Sequence, residues 1–551
     1  MNRFLAVGCL CLFCFSYPLY GSELQKPERL IRQDQQYQEH LQRNLEIKQR
    51  QKTRSHSPNL PAALSGEKSG SCFSIDTINF VGQTLFSSSD LKQWADPLIG
   101  KCLTLKDINT LLDRVSAEYF SRGYITSRAY LREQNLADGD LQIDIVEGTF
   151  AGIEPGDTNY SEIFSLKPGQ LLNLRDIEQG VDHINRLQSM QASVRLLPGK
   201  ALGQSLLQVK HQRDRPWELN FTVDNSGQEA TGESQLQGFL GWDSPLGLYD
   251  YTYFSLQSDS DFGQGKHRSR SLSWHWDLPL GLWTVALDYS HFEYRQEVTG
   301  RDLAFESSGM AETARLNLKR LLHRNQQSKW FVTASLKRHK TRNYIEDVLI
   351  DVSSRVLSSA ELKLTWDHYF SDGSAVFSNV AVHQGIETLS QVSGGVSDFT
   401  TIVASVDLHK PVDWMDHRFS YRSRWLYQYS DDALYASEQI SIGSLYTVRG
   451  FKQETLSGNR GGYWRNSLYW HPVPDSSWEF LGTITPFVGV DIGAVQSSSG
   501  EDYRDLAGVV IGAQLSASHW SLDFLFAQPL HQPDEFERRE RRFDLSFNYY
   551  F

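Results

Sequence analysis

No uncharged apolar run after residue 21 approaches the roughly 18 residues that a membrane-spanning helix requires. Methionine is scarce, with 4 against 14 Trp, 24 Tyr and 29 Phe in 551 residues, which again disfavours a helical membrane protein. Positive charge is in deficit: 54 Lys and Arg face 66 Asp and Glu, and the formal net charge of -12 argues against a general nucleic-acid binder. The sequence has no Gly-x-Ser-x-Gly, no His-Glu-x-x-His and no phosphate-binding glycine loop with its Lys and Ser/Thr. Serine-hydrolase, zinc-protease and nucleotide-driven readings therefore lack their residues, and no catalytic residue, metal or cofactor is expected. What remains is a large soluble multidomain protein or a membrane β-barrel, whose alternating spans vanish in a hydropathy average.

Cysteine is also rare. Residues 1–21 carry Arg3, an apolar run from Phe4 to Phe15 and a small residue at Gly21, the pattern of a secretory signal peptide. Three of the five cysteines, Cys9, Cys11 and Cys14, fall within it. The remaining two, Cys72 and Cys102, would meet an oxidising compartment, where they are most simply a disulfide; two buried free thiols are the alternative.

Residues 22–56 are rich in Gln and in both signs of charge, with sparse apolar residues Leu30, Tyr37, Leu41 and Leu45 at helical spacing. So thin a stripe cannot hold a helix to an apolar core. The segment is either a solvated leader or a helix lying in a polar, water-filled space. Residues 57–70 read as a linker. Residues 71–147 follow the order strand, helix, helix, strand, strand, and residues 148–211 repeat it in shorter form with a first helix near Ser161–Leu166.

After Pro216 the texture changes to segments of about ten residues that alternate, such as Trp217-Leu219-Phe221-Val223 and Trp283-Val285-Leu287-Tyr289. Aromatics crowd the strand ends as a membrane girdle requires, while charges such as Asp288 and Asp523 fall on the other face. The last strand alternates Phe543, Leu545, Phe547, Tyr549 and Phe551, and the terminal Phe551 is the signal expected of an outer-membrane barrel. The stretch from residue 212 to 551 predicts a membrane β-barrel of about sixteen antiparallel strands.

Within a Ser- and Gly-rich connection stand Val448, Arg449, Gly450 and Phe451, and downstream lies the barrel-wall stretch Phe487 to Gly493. Period two sends Val488, Val490 and Ile492 to lipid and turns Asp491 inward between Gly489 and Gly493, where there is room for a cation. Arg449 is the expected partner of Asp491, the loop folding into the lumen to reach it; a solvated loop arginine is the plain alternative.

Taken with Cys72-Phe73-Ser74-Ile75, Arg122-Gly123-Tyr124-Ile125 and Asp224-Asn225-Ser226-Gly227, these motifs make the chain resemble the transporters of two-partner secretion. The resemblance covers nearly the whole mature sequence. It implies an N-terminal plug helix, two periplasmic α+β POTRA modules and the barrel, all at the bacterial outer membrane. It also implies a large secreted TpsA-type partner that is caught by the POTRA modules and threaded unfolded through the barrel. Outer-membrane lipids, lipopolysaccharide, periplasmic chaperones and the barrel assembly machinery are the other implied partners, and nucleic acid is not one. A general barrel insertase of the same superfamily is the rival; such proteins commonly carry more POTRA modules and lack the Gln-rich helix. The run from Glu537 to Arg542 reads either as a lipopolysaccharide contact through Arg538 and Arg539 or as a solvated loop.

Overall fold

The computed structural model describes residues 27–53, 72–154, 160–260, 267–299, 304–392, 397–472, 482–497, 501–536 and 541–551. The expected signal peptide, the 57–70 linker and the pair Arg538 and Arg539 lie outside these residues.

The first module is built on a helix, Leu105–Ser121, that buries Ile108, Leu111, Val115 and Tyr119 along one face. Thr104 and Asp107 start it with a reciprocal capping box, and Gly123 leaves it at φ +91°, a left-handed turn that glycine adopts without strain. A second capping box, Ser87 with Asp90, starts the shorter helix Ser88–Ala95. Both helices cover a sheet in which Asp140–Val146 runs between a parallel neighbour, Thr77–Val81, and an antiparallel one, Arg128–Leu131. A two-strand ribbon pairs Ser74 with Cys102, and beside it Cys72 and Cys102 form a disulfide with Cα atoms 5.3 Å apart.

Glu147 ties the end of that sheet to the helix. Its carboxylate accepts hydrogen bonds from the amides of Thr84 (2.8 Å) and Leu85 (2.9 Å) and from the Tyr119 hydroxyl (2.7 Å). Burial opposes its charge, but the Thr84, Tyr119 and Leu85 donors outweigh that and hold the carboxyl below its usual range. A lowered folded-state value contributes stability that is complete above the unfolded carboxyl range and is lost as pH falls through the folded value. Glu147→Gln should therefore reduce hydrogen-exchange protection of Leu105–Ser121 at pH 7, with the gap to wild type closing on acidification. A gap of equal size at pH 7 and pH 3 would show that the charge contributes nothing.

The second module keeps the order with a central strand, Gln204–Arg213, between Thr149–Ile153 and Met190–Pro198. Its main helix is Leu174–Asn185. The first helix is one turn, Tyr160–Ile163, rather than the span expected near Ser161–Leu166. Phe164 and Leu166 are buried without helical backbone, because packing against the module core holds them where four residues cannot sustain a longer ladder.

Sixteen antiparallel strands follow, closed on themselves, from Trp217–Asp224 to Arg542–Tyr550, with a two-residue ribbon, Val348–Leu349, appended to one of them. In-out alternation is kept: on Thr483–Gln496, Val488, Val490 and Ile492 are about half exposed while Asp491 is fully buried. Trp217, Trp242, Trp283, Trp414 and Trp470 stay exposed at strand ends on the module side, forming the aromatic belt of one membrane interface. The turns at the module end of the barrel rest on the second module. The Gly281 amide donates to the Glu162 carbonyl (2.8 Å), and Tyr160 stacks on Tyr249 at 5.9 Å.

Candidate functional site

The barrel lumen is occupied. The helix Pro27–Lys52 runs through it, about 39 Å long at 1.5 Å per residue, and ends short of the expected limit at residue 56. Its apolar residues are divided among separate aromatic patches. Leu30 and Ile31 meet Phe292 and Tyr294, and Ile47 meets Tyr369 and Phe377. Polar contacts fill the rest: Gln38 donates to Ser271 (2.9 Å), Gln42 to Asp288 (3.1 Å), Arg50 to Asp367 (3.1 Å), and Arg355 of the wall to Glu28 (2.6 Å). At its end Lys52 donates to the carbonyls of Leu187 and Gln188 in the second module, at 2.5 and 3.0 Å.

A cavity of about 240 Å³ lies between this helix, the wall and the second module, lined among others by Glu46, Arg50, His183, Arg186, Lys319 and Lys363. Burial pushes His183 down to about 4, so it is a neutral ring whose Nε2 donates to the Gly281 carbonyl (2.7 Å). On the same module helix, Asp182 joins Arg324 (2.5 Å) and Lys329 (2.6 Å) of the wall, and Lys329 also reaches the Thr53 carbonyl (2.9 Å). Lumen helix, wall and second module are thus one connected polar assembly.

The connection between Tyr429 and Arg460 folds inward. Arg449 and Asp491 meet in a bidentate pair, Nε to Oδ2 at 2.6 Å and Nη2 to Oδ1 at 2.7 Å, with side-chain exposures of 1% and 0%. The Arg449 amide also donates to Asp491 (3.0 Å), and Nη2 reaches the Asn466 carbonyl (2.9 Å) and Ser467 (3.0 Å), so both carboxylate oxygens and the Nε and Nη2 donors are hydrogen-bonded. The glycines make the room. A Cβ on Gly489 would lie 2.7 Å from the guanidinium, and one on Gly493 2.9 Å from Val448. Gly450 itself has φ +113°. Val448 and Phe451 are buried with Ile440, Ile442, Leu456 and Leu506, which fixes the loop tip by packing. Phe487 shares the inward phase of Asp491, and its ring lies tilted beside Tyr469 at 5.0 Å. The loop touches the lumen helix too: Ser444 donates to Gln36 (2.8 Å), and Tyr446 lies beside His40 at 4.9 Å.

Phe551 is 49% exposed on the lipid side, and its amide donates to Leu219 (3.0 Å) of the first strand. The disulfide of Cys72 and Cys102 is in the first module, away from the lumen. Arg542, expected in a charged loop, is instead the buried first residue of the last strand, paired with Asp544 at 2.5 and 2.7 Å. Its place is fixed by alternation, since it is in phase with Asp544, Ser546 and Asn548 on the lumen face. Gly508 was also missed by sequence reasoning: a Cβ there would sit 1.8 Å from the Arg449 carbonyl, a proximity that no local pattern signals.

The family described as haemolysin secretion/activation protein ShlB/FhaC/HecB has a sequence model that matches residues 203–515. The chain belongs to that family. A ShlB-type POTRA domain matches residues 73–148, and a further POTRA domain matches 149–198. The outer membrane transporter CdiB of Dickeya dadantii is 31% identical over 96% of this chain and 95% of its own length. The hemolysin transporter protein ShlB of Serratia marcescens is 31% identical over 83% of this chain and 82% of its own. The solved structure of CdiB from Escherichia coli superposes with a TM-score of 0.86 at 30% identity, over 96% of this chain and all of that one. The transporter is therefore a two-partner secretion protein of the outer membrane with its POTRA domains in the periplasm. These relatives favour transport over the insertase alternative.

Proposed function

We propose that this transporter captures a large TpsA-type exoprotein, a haemolysin, adhesin or contact-dependent toxin, and passes it unfolded to the cell surface without nucleotide or catalytic chemistry. The observation that carries the reading is a closed barrel whose polar lumen holds a polar helix joined to the second POTRA module. Capture occurs by strand addition, because main-chain hydrogen bonds accept an extended chain of almost any sequence. In the second module, Phe150 of Thr149–Ile153 already donates to the Gln170 carbonyl (2.8 Å) and accepts from the Gly169 amide (2.8 Å), whereas among the described residues Ser193–Leu197 has a sheet neighbour on one side only. That open edge is the docking strand. Arg449 and Asp491 keep the loop in its working position, Cys72 and Cys102 brace the first module, and Phe551 marks the strand for assembly. Barrel assembly machinery, chaperones, lipid and lipopolysaccharide serve insertion; nucleic acid has no part.

A photo-crosslinker at Ser193 or Arg195 should capture the N-terminal domain of a neighbouring-gene partner during secretion, and one at Ala151 should not. Equal capture at both edges would overturn strand addition. Failure of the assembled wild type to secrete that partner would overturn transport.

A further inference from the structure

The residues Val448 to Lys452 cross the inner wall strand by strand. Val448 packs against Gly493, and Arg449 binds Asp491, on Thr483–Gln496. The Arg449 carbonyl lies over Gly508 on Arg504–Ser516. Gly450 lies over Gln528 on Trp520–His531, where a Cβ would be 3.0 Å from the backbone. The Phe451 carbonyl accepts from Arg542 Nη1 (3.0 Å) on the last strand. Lys452 then reaches past the first strand to the Asn225 carbonyl (3.2 Å) and Glu233 (2.8 Å). Five consecutive residues thus run from the Asp491 strand across the seam where the barrel closes.

That seam is short. The last and first strands share five paired positions, from Ser546 with Asp224 to Tyr550 with Asn220. Each of those strands pairs over eight positions on its other side. Above Asp224 the ladder is continued by a side chain: Asn225 donates to the Phe543 carbonyl (2.8 Å) and accepts from the Leu545 amide (2.8 Å). Lys452 holds the main chain of the residue that makes this stitch, and Arg542 holds the other strand. We propose that residues 448–452 form a strap across the seam, with Arg542 and Lys452 as positioning residues through which the loop keeps the first and last strands together. Displacing the loop from the wall then loosens the seam, and loosening the seam frees the loop.

The plain alternative is that Arg542 only neutralises Asp544. Two double variants separate the cases. Arg542→Ala with Asp544→Ala removes both charges and the donor to Phe451. Arg542→Gln with Asp544→Asn removes both charges but keeps a side-chain donor. In the full-length protein, hydrogen exchange of Leu545–Tyr550 should rise about tenfold in the first variant, as loss of one bond to a charged donor implies, and stay near wild type in the second. Ala304–Arg324, away from the seam, should not change in either. Secretion should fall in the first and be retained in the second; that half of the test rests on the transport reading, whereas the exchange half does not. Unchanged exchange in the double alanine variant, or equal losses in both variants, would overturn the strap. Should the alanine pair fail to assemble, Lys452→Ala gives the same exchange comparison from the other side of the seam.

Discussion

Replacing either Arg449 or Asp491 by alanine is expected to stop secretion while the barrel still assembles. Each variant leaves its partner charged, buried and short of bonds, at a cost of about 3–5 kcal/mol for a pair of this kind. At about 1.4 kcal/mol per tenfold, the folded-in loop then loses more than about a hundredfold of its preference for this position. Asp491→Asn should fare little better, because the carboxylate accepts from Nε, Nη2 and the Arg449 amide together, and an amide side chain offers one oxygen. Exchanging the two charges should recover only part of the activity, since Gly489 and Gly493 leave space for a guanidinium arriving from the loop and not for one rooted in the wall. Secretion of a partner fragment, with heat-modifiable migration as the check on assembly, reads the result. Assembled single variants that secrete normally would remove the pair from the mechanism.

Deleting Pro27–Lys52 should raise ion conductance through the barrel several-fold in planar bilayers. The helix body is about 10 Å across and runs through the lumen. Its neutral contacts are individually weak, since amide and hydroxyl bonds such as Gln38 to Ser271 exchange for water with a net effect of about 1 kcal/mol each, and its charged contacts, Arg50 to Asp367 and Arg355 to Glu28, hold it more firmly. Conductance equal to wild type would mean that another segment closes the channel, and the helix would then not be its plug.

The barrel was legible because alternation over many strands repeats one rule, and a one-residue slip would expose every lumen charge to lipid. Asp491 was legible for the same reason, its inward phase following from Val488 and Val490. The one-turn helix Tyr160–Ile163 was not, because its length is set by packing of Phe164 and Leu166 rather than by local propensity. Arg542 was misread as loop because it stands in a run of charges, although counting back by twos from Asn548 turns it inward. The path of the loop over Gly508 and Gln528 depends on neighbours sixty and eighty residues away, and no local pattern encodes them.

A lumen wall that accepts a helix through scattered serines, carboxylates and small aromatic patches has no strong preference for any one chain. Neutral bonds such as Gln38 to Ser271 are worth about 1 kcal/mol net and can break and reform one at a time, so a polar polypeptide would exchange them readily along the wall, with the charged contact at Asp367 as the stronger hold. The same wall penalises a long apolar stretch, which would strip water from buried charges without replacing their bonds. Under the proposed transport, the resting contacts of the helix would double as a filter on composition, favouring chains rich in Gln, Asn, Ser and Thr over folded or greasy ones.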